Sequence, residues 1–273
     1  MWIVYLLIPA VLVCLVLILA ILPRRRRDTT PFYRVLYAHR GLHSGDSMVP
    51  ENSLAAFRRA REAGYGVELD VQFSADRQIV VFHDNTLKRM CGIDRRVDEL
   101  TYDELRQLRL LGSDQYIPLL TEVLAELDGA PLLCEFKAMR SYTDTSLCAA
   151  ALPLLQSYKG PVCIESFNPF MVGWFQKNAP AIVRGILSKR FEEGDVIPIL
   201  RGPLSSLMGN FLCRPDFIAY QHTDRTQFFF RLCRLFGPMT MAWTVRSAAE
   251  EASAREVFDT IIFENYLPDL SEK

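Results

Sequence analysis

The chain has 273 residues, half of them apolar, and a formal net charge of −1. It can bury a large core, as one barrel-sized domain or two smaller ones. Its 31 basic residues, less the four at Arg24–Arg27, leave 27 against 32 acids, a balance of −5 that argues against the basic stripe of a nucleic-acid surface.

The first element is residues 2–22, WIVYLLIPAVLVCLVLILAIL, which run 21 positions without a charge. A helix of that length, at about 1.5 Å per residue, matches the roughly 30 Å hydrocarbon layer of a bilayer. The expectation is one N-terminal transmembrane helix within residues 1–23. No basic residue precedes it and no small-x-small site follows, which disfavours a cleaved leader. Residues 24–34 form a basic linker. Its arginines, Arg24 to Arg27, are expected to meet anionic headgroups and keep the following domain on the cytoplasmic side of a single-pass membrane protein. The seven cysteines are scattered, odd in number and without a CxxC pair, as free thiols in a reducing compartment would be.

From residue 35 onward, short β-rich runs alternate with helical patterns, the signature of parallel strands and crossover helices. Nine candidate strands follow in order: 35–39, 67–71, 79–83, 132–136, 162–167, 182–187, 217–221, 239–245 and 260–265. The second and third are too close in sequence for a parallel crossover and must form an antiparallel hairpin. Setting that arm aside leaves eight β/α units, with helical stretches such as 53–64, 101–111, 121–129 and 247–258. The expected fold is an α/β TIM barrel over residues 35–273, with a hairpin arm after the second strand.

In VELDV, Glu68 and Asp70 share one face of a strand and Val67, Leu69 and Val71 the other. A barrel turns the acids inward, near its catalytic mouth. The hairpin brings His83 roughly opposite Glu68. In LLCEFKA, Glu135 and Lys137 likewise share a face. Crowded buried carboxylates need cations or protons. Glu68, Asp70 and Glu135 suit one divalent cation, Mg2+ or Ca2+, better than zinc. An ion-pair network with Lys137 and Arg40 is the alternative.

AHRG ends the first strand, placing His39 and Arg40 where a barrel carries its chemistry. Two strand-end histidines facing acids, His39 and His83, could serve as general base and general acid. Glu51 could orient Arg40 or a substrate hydroxyl, or could cap the next helix together with Asn52. His43 and His222 have no comparable company. Three carboxylates, a divalent ion, Arg40 and Lys137 leave about +1, which a phosphodiester balances.

The ordered set AHRG (38–41), PENS (50–53), VELDVQ (67–72), VVFHD (80–84), IPLLTEVL (117–124), CEFK (134–137), SF (166–167) and AWTV (242–245) closely resembles the glycerophosphodiester phosphodiesterases. The resemblance covers about residues 35–268. It implies a TIM barrel related to the phosphatidylinositol-specific phospholipases C, dependent on Mg2+ or Ca2+, that cleaves glycerophosphodiesters to glycerol 3-phosphate and an alcohol. By position, His39 and His83 match the acid/base pair, Glu68, Asp70 and Glu135 the metal ligands, and Arg40 and Lys137 the phosphate contacts. Trp243 aligns with a site-lining aromatic, a barrel-core place being its other reading. FENYLPDL stands where many relatives have an Asp, and Glu264 and Asn265 receive no role. The expected mechanism is attack by the glycerol 2-hydroxyl, a cyclic phosphate, and its opening by water.

Two other functions remain open. Apolar stretches at 197–212 and 227–237, the second with Arg231 and Arg234, suit a lysophospholipase D or phospholipid-directed phosphodiesterase at a membrane surface. An inactive, membrane-attached lipid-binding domain is the reading from another class.

Overall fold

In a computed structural model describing residues 2–24, 28–138 and 141–272, the chain builds one nine-stranded sheet. Its strands are β1 (Leu36–Ala38), β2 (Gly66–Phe73), β3 (Ile79–Val81), β4 (Leu132–Phe136), β5 (Val162–Ser166), β6 (Val183–Ser188), β7 (Phe217–Gln221), β8 (Met239–Val245) and β9 (Thr260–Phe263). β1 pairs in parallel with both β2 and β9, which closes eight parallel strands into a barrel of the expected TIM type. β3 lies antiparallel on β2, with Val71 opposite Val81. Continuing that register, Phe82 N–H donates to Asp70 O and His83 falls beside Leu69. That is one residue away from the position opposite Glu68.

Alternation along the strands separates two cores. Outward Val67, Leu69, Val71, Leu132, Cys134 and Ile164 pack against the helices. Inward Tyr37, Leu133, Cys163, Phe217, Met239 and Ile262 fill the barrel. Gly185 of β6 is required there, because a Cβ would stand 2.0 Å from the Phe217 ring. A third cluster joins Val80 and Phe82 of the arm to Leu87, Met90, Val97, Leu105 and Leu110. It explains why the helix expected over 101–111 shrinks to Tyr102–Leu105: the apolar residues beyond it bend over the arm in turns, through Leu111 at φ 52°.

The N-terminal helix, α1, is Trp2–Ile21. Among the described residues no helix is long and apolar enough to cross a membrane. The spanning segment expected over 2–22 is therefore not seen there; the side chains of residues 2–7 and Ala10, and all of Arg25–Arg27, lie outside the described residues. The described end of α1 is instead bound into the domain. Ile21 is fully buried, and its carbonyl accepts from Asn210 Nδ2 at 2.8 Å. Arg214 Nη1 donates to the carbonyls of Leu19 and Leu22, and Arg24 N–H to Pro215 O. These partners immediately precede β7, so α1 docks at the end of the barrel where its strands begin.

Candidate active site

The opposite end, where the strands finish, carries the charge. His39 follows β1 and is still tied to β9 by its N–H to Phe263 O, 2.9 Å. The chain then turns through Arg40 at φ 55° and Gly41 at φ 80°. Gly41 has no room for a side chain: a Cβ would lie 2.8 Å from Ala56 Cβ. Arg40 takes a conformation rare for its type. That turn points its N–H at Glu68 Oε2, 2.9 Å away, while its carbonyl accepts from Asn52 N–H. The next helix, α2 (Leu54–Glu62), is capped by Ser53, whose Oγ accepts from Ala56 N–H. Asn52 is thereby free to donate from Nδ2 to Asp70 Oδ2 at 2.8 Å, instead of capping.

Strand register assembles the acids. Asp70 of β2 is level with Glu135 of β4, and Glu135 with Glu165 of β5. Oxygens of Glu68, Asp70 and Glu135 lie within 4.8 Å of one another. Lys137 Nζ closes one side, 2.8 Å from Asp70 and 2.6 Å from Glu135, and Arg40 Nε stands 3.6 Å from Asp70. Arg40 Nη1 donates to Glu51 at 2.8 Å, and Arg89 bridges Glu51 and Asp84. Burial and then the charges of Asp70, Glu135 and Glu165 push the Glu68 carboxyl well above its ordinary range. Burial acts the same way on Asp70, but Lys137, His83 and Arg40 hold it well below. An all-oxygen set with too little positive charge fits a hard divalent cation.

Both histidines present Nδ1 to a carboxylate: His39 to Glu264 Oε2 at 2.6 Å, His83 to Asp84 Oδ1 at 2.7 Å. Each therefore leaves Nε2 for chemistry. Burial lowers His39 to about 4, against the opposing pull of Glu264. The two rings open onto one cavity of about 180 Å3, lined also by Arg40, Glu68, Glu135, Glu165, Phe167 and Trp243. Trp243 meets Phe167 edge-on, 5.5 Å between centroids.

A fold, an acid trio and two carboxylate-tethered histidines on one cavity coincide with a family model, the glycerophosphoryl diester phosphodiesterase family, which matches residues 39–262. The chain belongs to this family. A glycerophosphodiester phosphodiesterase of Caldanaerobacter subterraneus is 32% identical over 160 residues, 53% of this chain and 64% of the relative. The mouse lysophospholipase D GDPD1 is 30% identical over 176 residues, 60% of this chain and 50% of the relative. The chain thus spans less than two thirds of the curated relatives it matches. Among solved structures, a Thermotoga maritima glycerophosphodiester phosphodiesterase superposes with a TM-score of 0.65 at 26% identity, covering 85% of this chain and 94% of the other. An Oleispira antarctica phosphodiesterase in complex with sn-glycerol-3-phosphate gives 0.68 at 24% identity, covering 85% and 93%, and shares the fold.

Of the residues singled out in the sequence, His39, Arg40, Glu68, His83, Glu135 and Trp243 line the family member's cavity. Glu51 and Asp70 are paired with Arg40, and Lys137 with Glu135. Four participants were not singled out. Glu264, given no role from sequence, holds His39, lies 2.6 Å from Arg246 and 3.8 Å from His43, and so gives His43 company as well. Asp84 and Arg89 steady His83 and Glu51. Glu165 is a fourth inward acid, legible from its alternation with Cys163. Burial and then Glu135 push its carboxyl well above the ordinary range, toward the neutral form.

Proposed function

We propose that the chain hydrolyses glycerophosphodiesters to glycerol 3-phosphate and an alcohol. The observation that carries this reading is the convergence of Glu68, Asp70 and Glu135 beside two histidines whose Nδ1 atoms are already engaged. The three acids would hold one Mg2+ or Ca2+ ion. When bound, the ion supplies neutralisation of charge developing on phosphoryl oxygens and a lowered pKa for the attacking hydroxyl. Arg40, held by Glu51, and Lys137 supply further positive charge for a phosphodiester. Trp243 forms part of the wall against which the substrate lies. His39, kept neutral by burial, takes the proton of the glycerol 2-hydroxyl at Nε2. The hydroxyl oxygen attacks phosphorus, the alcohol leaves, and a five-membered cyclic phosphate results. His83 gives a proton to the departing oxygen, and the roles reverse when water opens the ring.

The test is an assay on glycerophosphocholine, glycerophosphoethanolamine and lysophosphatidylcholine, with chelator and with Mg2+ or Ca2+ restored. Glycerol 3-phosphate should form, stop with chelator and return with the ion. No turnover of any diester would favour an inactive lipid-binding domain, and turnover indifferent to chelator would remove the acid trio from the reaction. A lysophospholipase D remains the second reading. It is favoured by Ile197, Ile199 and Phe228, 61%, 78% and 68% exposed beyond the ends of β6 and β7. Preference for the lysolipid in the same assay would select it.

For location, we infer that residues 1–23 anchor the barrel to a membrane, with Arg24–Arg27 and the barrel on the cytoplasmic side. Support comes from the uncharged run 2–22 and from Val11, Leu12, Val13, Leu15 and Val16, each at least half exposed. The full chain should remain in the membrane pellet through high-salt and carbonate washes, and a chain beginning at residue 28 should not. Release by salt alone would sink the inference.

A further inference from the structure

Among the described residues, three polar atoms of cavity-lining side chains are buried without a hydrogen-bond partner: Arg40 Nε, Trp243 Nε1 and Glu165 Oε2. The first two are donors and suit an anion. Glu165 needs a different partner. It is 1% exposed, stands level with Glu135 on the neighbouring strand, and does not belong to the converging trio of Glu68, Asp70 and Glu135. Around the cavity its company includes Phe167, Leu187 and Trp243, whose surfaces are largely apolar.

A buried carboxyl oxygen without a partner is costly, and an occupant that satisfies it is favoured by the same amount. Phosphoryl oxygens only accept and would repel a carboxylate. A hydroxyl both donates and accepts, so it fits Glu165 in either ionisation state. A glycerophosphodiester offers one hydroxyl besides the attacking one, on the terminal carbon of its glycerol. In a 1-acyl lysolipid that oxygen is esterified and has no proton to donate to Glu165.

We propose that Glu165 binds the free terminal hydroxyl of the substrate's glycerol unit and thereby selects deacylated glycerophosphodiesters over lysolipids. This assignment rests on the glycerophosphodiester reading and names the group that narrows it. Nothing in the motif set used above points to this residue, which lies just before the SF pair.

The experiment compares the full chain with Glu165→Gln and Glu165→Leu on glycerophosphocholine and on its analogue lacking the terminal hydroxyl. The wild type should lose about tenfold to a hundredfold in kcat/KM on the deoxy analogue. Glu165→Leu should lose that factor on the parent and treat both compounds alike, with Glu165→Gln between. Calorimetry with sn-glycerol 3-phosphate and its deoxy counterpart, in the presence of Mg2+ or Ca2+, should give the same ratios without turnover. Affinity for the divalent ion alone should be the same in all three proteins. Equal discrimination by wild type and Glu165→Leu overturns the proposal, as does a loss of ion affinity, which would make Glu165 a ligand of the ion. A wild type that binds with the hydroxyl-dependent ratio but does not turn over would refute the activity and leave the hydroxyl contact standing. Failure to bind either phosphate overturns both.

Discussion

Follow the barrel interior along its own strands and it changes character within two residues. At the base, Tyr37, Leu133, Cys163, Phe217 and Met239 interlock around Gly185. At the mouth, the next inward positions on three of those strands are His39, Glu135 and Glu165, joined by Glu68 and Asp70 of β2. The base removes apolar surface from water and stabilises the fold. The mouth crowds acids whose charges oppose one another, and relies on the frame below to keep them together. Stability and chemistry are thus separated along single strands, and substitutions at the two levels should have opposite signatures.

Glu68→Gln should show the largest effect. The amide still accepts the Arg40 N–H, but a charged ligand for the divalent ion is gone. A catalytic ion contributes several kcal/mol to the transition state, so turnover should fall about 10³-fold. The Glu68 carboxyl sits well above its ordinary range, meaning that its ionised form is disfavoured in the fold. Its removal should leave stability in chelator unchanged or raised. The wild type should gain about 2.7 kcal/mol from an ion at a hundred times its Kd, and the variant much less. Thermal unfolding with and without Mg2+ or Ca2+ reads both outcomes. A variant that is markedly less stable in chelator would show the trio to be structural.

Phe217→Ala, at the base, should behave oppositely. Loss of a fully buried aromatic costs about 3–5 kcal/mol, seen as a lower urea midpoint, while kcat per folded molecule stays at the wild-type value. Gly185→Ala should destabilise by overpacking against the same ring, by about 1–3 kcal/mol. If kcat falls as steeply as stability in these variants, base and mouth are one cooperative unit and the separation fails.

The separation also sorts what the sequence made legible. Period-two alternation identified the inward acids because β geometry is local: Glu68 and Asp70 share a face whatever the rest of the chain does. The fourth acid obeys the same alternation but stood alone in its strand, with no second charge to draw the eye. Glu264 was out of reach for another reason. It meets His39 from 225 positions away, and that contact depends on barrel closure through β1 and β9. The exact register of the arm depends on a turn with Arg77 at φ 61°, which no glycine signature encodes. The segment 101–111 kept a helical pattern, but packing over Val80 and Phe82 overrode it.

The smallest expected effect concerns pH, and it divides the mouth itself. Burial takes His39 down to about 4, from an ordinary 6.5, despite Glu264, with Arg40 and Asp70 also facing it. Below about pH 6.5 the unfolded chain takes up a proton that the folded chain refuses until about pH 4. His39 therefore withdraws stability as pH falls through that window, by about 1.4 kcal/mol for each pH unit well inside it. The raised acids Glu68 and Glu165 act in the opposite sense, because the folded chain protonates them first as the medium acidifies. Asp70, Asp84 and Glu264, held below the ordinary carboxylate range by cationic and imidazole neighbours, act in the same sense as His39, so the wild-type profile alone does not isolate the imidazole. The informative quantity is its difference from His39→Asn, followed by urea denaturation at pH 7, 5.5 and 4.5. The variant should gain on the wild type at each step downward. A constant difference across the three pH values would mean that His39 titrates normally, and that its neutrality at the mouth comes from the medium and not from burial.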